Sequence, residues 1–197
     1  MAKRFSDIFF SALFLLLLFI PMLLIGVAVT VTSIGGVFFS QKRVGKLGVP
    51  FLLLKFRTMR PYAESEGLIT VGERDPRVTR IGHFLRKSKL DELPQLINIF
   101  KGEMSFIGPR PEVPKYVAMY TEEQMRVLRL RPGLSDPASL AFFNESEILG
   151  QQDDPEAYYV EVIMPAKLKM NLEYVMNRRA LTDLKLVFKT IKLIAGL

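Results

Sequence analysis

The sequence contains no cysteine and only one histidine, His83. The absence of cysteine excludes disulfide bonds and thiolate metal sites, and a single histidine cannot build a zinc site. We interpret His83 as a helix-surface residue. The chain also shows no internal repeat and no low-complexity segment. Its length of 197 residues leaves room for one domain and a short additional segment.

Charge is absent from the stretch between Ile8 and Gln41. Within it, residues 9–31 are nearly continuous in Phe, Leu, Ile and Val, and a bilayer core about 30 Å thick needs roughly 20 such residues as helix. The remainder of the chain is strongly basic, because the formal net charge is +7. A basic surface favours phosphates on lipid headgroups, nucleotides or nucleic acid.

The apolar stretch is long enough to span a bilayer, but its flanks predict a different topology. Basic residues are retained on the cytoplasmic side, and they occur at both ends: Lys3 and Arg4 before the stretch, and Lys42, Arg43 and Lys46 after it. Pro21 lies near the middle, where it removes the helical hydrogen bond to the Leu17 carbonyl and bends the helix. We therefore predict a re-entrant helix-break-helix, with an ordinary kinked transmembrane helix as the alternative. A cleaved signal peptide is disfavoured, because the run is too long and lacks a small-residue cleavage site.

The predicted fold class is mainly α with a small β-hairpin, and the predicted division is a membrane anchor at 1–36 followed by a cytoplasmic, membrane-associated globular domain at 37–197. The predicted elements are strands at 37–40 and 51–56, an irregular loop at 61–77, helices at 78–87, 91–101, 121–130, 155–177 (interrupted at Pro165) and 182–195, and a turn at Pro132-Gly133. The last helix carries an apolar stripe (Leu184, Val187, Phe188, Ile191, Ile194) and a lysine stripe (Lys185, Lys189, Lys192). Its apolar face either lies in a membrane interface, as an interfacial amphipathic helix, or packs on the core.

The densest chemical information lies in the segment from Arg86 to Leu96, which places Asp91 and Glu92 among basic residues. With Asp91 at the N-cap of a helix, the helix dipole and free amides are expected to keep its carboxylate ionised. An ionised carboxylate among cations serves as a nucleophile towards phosphorus or as a ligand for Mg²⁺. The alternative is plain helix capping.

Other cations add to this pattern. Arg110 stands between Pro109 and Pro111, which pre-organises a guanidinium for an oxyanion. Lys55 and Arg57 lie at the end of a predicted strand, and Arg131 closes a predicted helix. Each alone is typical of a solvated charge, whereas together they offer several cations around one acidic pair.

Three segments carry a resemblance to a known family: KFRTM at 55–59, LDELPQL at 90–96 and KGEMSFIGPRP at 101–111. In this order they resemble the small monotopic phosphoglycosyl transferases of bacteria, the bacterial sugar transferase family. The resemblance covers nearly the whole chain, including the proline-broken N-terminal helix.

The resemblance implies a two-step reaction. Asp91 attacks the β-phosphorus of a UDP-sugar and expels UMP, and polyprenyl (undecaprenyl) phosphate then takes the phosphosugar from the aspartyl intermediate. It further implies Mg²⁺ held by Asp91 and Glu92, and a monotopic enzyme among the phospholipids of the bacterial inner membrane, on its cytoplasmic face. A homodimer is compatible with it. By position, the candidate phosphate or nucleotide contacts are Lys55, Arg86, Gln95, Arg110 and Arg131.

Two departures from the family pattern bear on this expectation. Ile20 precedes the kinking proline where members often carry serine, and residues 134–139 read LSDPAS where members often carry Thr-Gly and a glutamine. The second departure concerns the identity of the sugar. A non-catalytic membrane adaptor that binds anionic lipid or acidic partners is the alternative function, although it does not require an acidic pair. Nucleic-acid binding is disfavoured, because the aromatic residues concentrate in the anchor and no recognition module is present.

Overall fold

The computed structural model describes residues 2–72 and 75–194. The predicted class is confirmed, since the protein is mainly helical with a small antiparallel hairpin. The helices are α1 Ala2–Leu17, α2 Phe19–Thr32, α3 Arg80–Lys87, α4 Gln95–Lys101, α5 Pro114–Val117, α6 Pro137–Ala141, α7 Glu145–Gly150, α8 Pro155–Tyr158, α9 Met164–Asn177 and α10 Ala180–Ile194. The strands are β1 Phe38–Val44, β2 Pro50–Phe56, β3 Ser105–Ile107 and β4 Gly133–Ser135.

The chain groups into two compact units. The first comprises Met1–Gln41, Leu53–Gly102 and Ser146–Gln151, and the second comprises Lys42–Leu52, Glu103–Glu145 and Gln152–Leu197. The first unit therefore contains the apolar N-terminal segment together with the Asp91-Glu92 pair.

Helices α1 and α2 are separated by a bend of 63°. The break falls at Leu18, three residues before Pro21, which occupies the first turn of α2. Pro21 has no N–H for the Leu17 carbonyl and its ring crowds that carbonyl, which explains why the helix breaks immediately after Leu17. Within residues 2–72 and 75–194, no single helix is long and apolar enough to cross a bilayer, although this bent pair meets both criteria together.

Helix α2 packs against the rest of the first unit. Val29 is fully buried with Phe56 of β2 and Leu85 of α3, and Ile25 of α2 lies against the same cluster. The opposite face of α2 leaves large apolar side chains exposed, among them Leu23, Leu24, Val27 and Val31. Helix α2 thus has one face buried in protein and one face of exposed apolar side chains.

The predicted irregular loop is organised by one buried ion pair. The Arg77 guanidinium contacts the Asp75 carboxylate at 2.6 Å and donates to the carbonyls of Ala63, Gly67 and Ile69. Burial alone would raise the pKa of Asp75, but the hydrogen bonds from Arg77 and Val71 lower it to about 2. Arg77 therefore holds the backbone at Ala63, Gly67 and Ile69 around its own charge.

The second unit contains a parallel strand pair that the sequence analysis missed. Strands β3 and β4 pair with Ser105 opposite Gly133 and Ile107 opposite Ser135. The prediction of a simple turn at Pro132-Gly133 is therefore wrong, because Gly133 opens β4. Three-residue strands are too short to show an alternating pattern.

Two predicted helices differ in kind from the expectation. The capping box at Thr121 is present, since Thr121 N–H donates to Gln124 Oε1 at 2.8 Å and Gln124 N–H donates to Thr121 Oγ1 at 3.3 Å, but it opens a short 3-10 helix at Gln124–Arg129. The interruption near Pro165 is a π-helical turn at Tyr159–Ile163. It precedes Pro165 because that residue supplies no N–H to the carbonyl four residues back.

Helix α10 presents two apolar faces. Leu186 and Val187 pack with Ile107 and Tyr174 in the core of the second unit. Four further side chains remain exposed at helical spacing: Leu181, Leu184, Phe188 and Ile191. Part of the predicted stripe therefore packs on the core and part faces outwards; of Ile194 only the backbone is described, and residue 195 lies outside the described residues.

The buried Asp75–Arg77 pair yields a stability prediction. Asp75→Asn should lower the free energy of unfolding by about 3–5 kcal/mol, because it leaves the buried guanidinium without its counter-charge. Because the folded-state pKa is depressed, the wild-type contribution is present above about pH 4 and is lost as pH falls towards about 2. Urea unfolding in detergent measures the effect.

The matched control is Glu66→Gln, which removes the exposed partner of Arg60 and should cost less than about 1 kcal/mol. Equal losses for the two variants would contradict the assignment of Asp75–Arg77 as the organising pair.

Candidate active site

Asp91 and Glu92 lie in one tight turn between α3 and α4. Leu90–Glu92 forms a single turn of 3-10 helix, entered through Lys89, whose φ is 56°. A non-glycine residue in this left-handed conformation costs roughly 1–2 kcal/mol, and such strain is concentrated at functional sites. The turn directs Asp91 inwards, so that the residue is 4% exposed.

The expectation that Asp91 is the N-cap of a helix is wrong. Helix α4 begins at Gln95, after Leu93 and Pro94. Pro94 has no N–H to offer the Leu90 carbonyl, and the Leu93 N–H binds that carbonyl instead at 3.3 Å. The result is a 3-10 turn ahead of the α-helix. The end of the helix is as predicted, since Gly102 follows Lys101 in the left-handed conformation with φ of 92°.

Lys55 holds the acidic pair from the end of β2. Its Nζ lies 2.8 Å from Glu92 Oε1 and 3.6 Å from Asp91 Oδ2. The next residue back, Leu54, donates its backbone N–H to Asn98 Oδ1 at 3.0 Å, which ties β2 to α4. One cation thus bridges two adjacent carboxylates.

The electrostatics of Asp91 differ from the expectation based on a helix start. Burial raises the pKa of the Asp91 carboxyl. The positive charge of Lys55 opposes this, the neighbouring Glu92 carboxylate raises the pKa further, and Arg86 and Lys89 lower it. The balance is a raised pKa, so an additional positive charge at the pair would favour the ionised carboxylate.

Arg86 reaches the same region from α3. Its Nε donates to Thr58 Oγ1 and its Nη1 donates to Thr70 Oγ1, each at 3.0 Å. Burial lowers the pKa of Arg86, while the Asp91 charge raises it. Because the hydroxyls that accept these hydrogen bonds are neutral, the charge of the guanidinium remains available to bind an anion near the acidic pair.

Gln95 occupies the first turn of α4 and is 1% exposed. Among the described residues its Nε2 has no hydrogen-bond partner. A buried donor without an acceptor costs about 1–3 kcal/mol. This amide is therefore suited to an acceptor oxygen supplied by a substrate.

In the second unit, the strand pair brings the two remaining predicted arginines into adjoining segments. Gly133 N–H donates to the Pro109 carbonyl at 3.0 Å, which joins the segment containing Arg110 to the segment containing Arg131. A Cβ at Gly108 would lie 2.3 Å from the Arg131 carbonyl oxygen. Only glycine allows this approach.

Hydrogen bonds also hold the backbone that follows Arg110. Arg43 Nη1 donates to the Pro111 carbonyl at 3.0 Å and to Glu112 Oε1 at 3.1 Å. The Tyr159 hydroxyl donates to the other oxygen of Glu112. These contacts fix the backbone immediately after Arg110.

The seven predicted site residues therefore divide between the two units. Lys55, Arg86, Asp91, Glu92 and Gln95 belong to the first unit, whereas Arg110 and Arg131 belong to the second.

Several supporting residues were not found from the sequence. Thr58 and Thr70 hold Arg86 from 28 and 16 residues away, and no local spacing indicates such partners. Asn98 offered a weak signal, as a polar residue within the otherwise apolar stretch of α4.

The carboxylates of the site fit Mg²⁺ in one binding mode only. Within residues 2–72 and 75–194 there is no group of three or more histidine, aspartate or glutamate side chains that could hold a metal. Mg²⁺, however, is commonly bound through one or two carboxylates together with waters and substrate phosphates. Asp91 and Glu92 fit an ion that arrives with a diphosphate.

Comparison with known proteins identifies relatives over most of the chain. The chain is 39% identical to the exopolysaccharide production protein ExoY of Rhizobium meliloti, over 97% of this chain and 84% of that protein. It is 34% identical to the UDP-glucose:undecaprenyl-phosphate glucose-1-phosphate transferase of Escherichia coli, over 96% of this chain and 39% of that protein. It is 36% identical to the UDP-N-acetylgalactosamine-undecaprenyl-phosphate N-acetylgalactosaminephosphotransferase of Aeromonas hydrophila, over 98% of this chain and 43% of that protein.

The family comparison covers the chain almost from end to end. The model of the family described as bacterial sugar transferase matches residues 1–196. The resemblance carried by the three sequence segments is thereby confirmed, and the chain belongs to the bacterial sugar transferase family.

Proposed function

We propose that this enzyme transfers a sugar phosphate from a UDP-sugar to polyprenyl phosphate, giving polyprenyl-diphospho-sugar and UMP. The observation that carries the proposal is the buried Asp91 with its partly buried neighbour Glu92, both bridged by Lys55. Two relatives are named as enzymes that move sugar phosphates from UDP-sugars to undecaprenyl phosphate. The family and the site therefore support the same substrate class.

In the proposed first step, a carboxylate oxygen of Asp91 attacks the β-phosphorus of the UDP-sugar. A bond forms between that oxygen and phosphorus, the bond from phosphorus to the UMP oxygen breaks, and UMP leaves. In the second step, a phosphate oxygen of polyprenyl phosphate attacks the same phosphorus and the aspartyl oxygen leaves as carboxylate. No proton is consumed overall.

The neighbouring groups have separate tasks in this scheme. Lys55 orients the two carboxylates, and Arg86 with the Gln95 amide binds phosphate oxygens as charge shifts during transfer. Arg110 and Arg131 are proposed as further phosphate or nucleotide contacts. Burial of Asp91 excludes water, which would otherwise hydrolyse the aspartyl intermediate.

We propose Mg²⁺ as the cofactor, held by Asp91 and Glu92 together with the substrate diphosphate. When bound, the ion would neutralise diphosphate charge and polarise the phosphoryl group. It would also offset the burial that raises the pKa of Asp91.

The proposed location is the cytoplasmic face of the bacterial inner membrane, with α1 and α2 dipping into one leaflet. The bend of 63°, the exposed apolar side chains of both helices and the basic residues at both ends support this topology. The exposed stripe and lysines of α10 suit the same interface. This location gives the site access to a lipid-borne acceptor.

The reaction is tested by incubating detergent-solubilised enzyme with Mg²⁺, polyprenyl phosphate and a panel of UDP-sugars, and measuring the released nucleotide. UMP is expected with at least one sugar, and Asp91→Asn should lower the rate by at least about 10⁴-fold, because the nucleophile is lost. Glu66→Gln, an exposed carboxylate in the same unit, should keep the wild-type rate.

Release of UDP would contradict the mechanism, since it indicates glycosyl transfer without the phosphate. No nucleotide release by wild type, with Asp91→Asn binding anionic lipid as well as wild type does, would instead support a non-catalytic membrane adaptor.

Metal dependence is expected to follow the acidic pair. Chelation with EDTA should abolish UMP release and excess Mg²⁺ should restore it. Glu92→Gln should raise the Mg²⁺ concentration needed for half-maximal rate by on the order of tenfold or more, because one ligand is weakened. Full turnover in EDTA would exclude the proposed cofactor, and Glu66→Gln again provides the control.

The topology is tested with single cysteines, which the cysteine-free chain allows. Phe5→Cys and Ile34→Cys introduce thiols at two strongly exposed positions at either end of the anchor, 74% and 85% exposed, and Tyr62→Cys reports on the globular part. In intact spheroplasts a membrane-impermeant maleimide should label none of them, and after lysis it should label all three. Labelling of one anchor end from outside would show a spanning helix instead.

A further inference from the structure

Arg4, at the start of the anchor, is bound to the end of α4. Its Nη1 donates to the Ile99 carbonyl at 2.6 Å and its Nη2 donates to the Phe100 carbonyl at 2.7 Å. The last carbonyls of a helix lack partners within the helix, and the negative end of the helix dipole favours a cation. A planar guanidinium places two N–H groups on two carbonyls at once, which a lysine ammonium does not reproduce.

The end of α4 leaves space for this guanidinium. Gly102 adopts φ of 92°, and a Cβ at this position would lie 3.0 Å from Arg4 Nη2. The glycine therefore serves two purposes, because it ends the helix and admits the arginine.

The face of α1 that carries Arg4 is polar and buried. Arg4, Asp7 and Ser11 follow one another at i, i+3 and i+7, and both Asp7 and Ser11 are buried. Phe5 and Phe9 on other faces are exposed, and α1 packs on α4. Polar groups are costly against lipid, so this face is made for protein contact rather than for the bilayer.

Helix α4 in turn follows directly from the turn that contains the acidic pair. Asn98, next to Ile99, accepts the Leu54 N–H at 3.0 Å, and Lys55 beside Leu54 bridges Glu92 and Asp91. A movement of α4 would therefore disturb both the carboxylates and their cation.

We propose that Arg4 is a positioning residue, which ties the anchor to α4 and thereby holds Asp91 and Glu92 in their working geometry. The basic residue at the start of the anchor then does more than set topology. Through this side chain, the geometry of the site depends on how the N-terminal helix packs against α4. The catalytic part of this inference rests on the proposed function.

The test compares Arg4→Lys, Arg4→Gln and the control Lys42→Gln, which removes an exposed basic charge at the other end of the apolar segment, in full-length protein reconstituted in nanodiscs. Hydrogen exchange is followed in peptides covering 90–94 and 95–102, and kcat for UMP release is measured on the same samples. Thermal unfolding reports the folded fraction, to which kcat is normalised. Arg4→Lys keeps the charge, and with it the topology, but cannot reproduce the double contact.

Both Arg4 variants should exchange faster in 90–94 and 95–102 than wild type, and their kcat should fall about tenfold, whereas Lys42→Gln should match wild type. Wild-type exchange and kcat in Arg4→Lys, or equal effects in Lys42→Gln, would show that Arg4 acts only as a topology charge and would overturn the proposal. Faster exchange with unchanged kcat would also overturn it. A wild-type enzyme without UMP release would contradict the proposed function alone, because the exchange in 90–94 still reports whether Arg4 holds the turn.

Discussion

The burial of the Asp91 carboxylate beside the partly buried Glu92 carboxylate is the constraint on which the rest of the first unit depends. An unpaired buried charge is costly, so Asp91 and Glu92 require a cation within contact distance, and Lys55 supplies it. Lys55 must then be held in register with the turn, which the bond from Leu54 N–H to Asn98 achieves. The strand β2, helix α4 and the turn before it form one connected arrangement around a single electrostatic requirement.

The basic residues that flank the apolar segment have a second physical role besides the one in topology. The positive charges at both ends predict that both ends stay on one side of a membrane. In the structure Arg4 binds the carbonyls at the end of α4, and Arg43 binds Pro111 and Glu112 next to Arg110. Each arginine links one end of the apolar segment to a segment that contains a predicted site residue, α4 with Gln95 or the loop with Arg110.

The sequence was sufficient for the features that depend on local chemistry. The apolar run, the break near Pro21, the hairpin, the left-handed Gly102 and the capping box at Thr121 all follow from residue types at fixed spacing. The features that it did not predict depend on distant partners or on short elements. The Thr58 and Thr70 contacts to Arg86 and the β3–β4 pair arise only once the chain has folded. The 3-10 turn at Asp91 is a short element that Pro94 imposes locally, and burial reversed the expected direction of the Asp91 pKa.

The central claim is that an oxygen of Asp91 bonds transiently to phosphorus, and intact-protein mass spectrometry tests it most directly. Enzyme incubated with Mg²⁺ and its UDP-sugar, without polyprenyl phosphate, should gain the mass of one sugar phosphate. Peptide mapping should place that mass on Asp91, and added polyprenyl phosphate should remove it. UMP release only in the presence of polyprenyl phosphate, with no mass gain at any stage, would contradict the account.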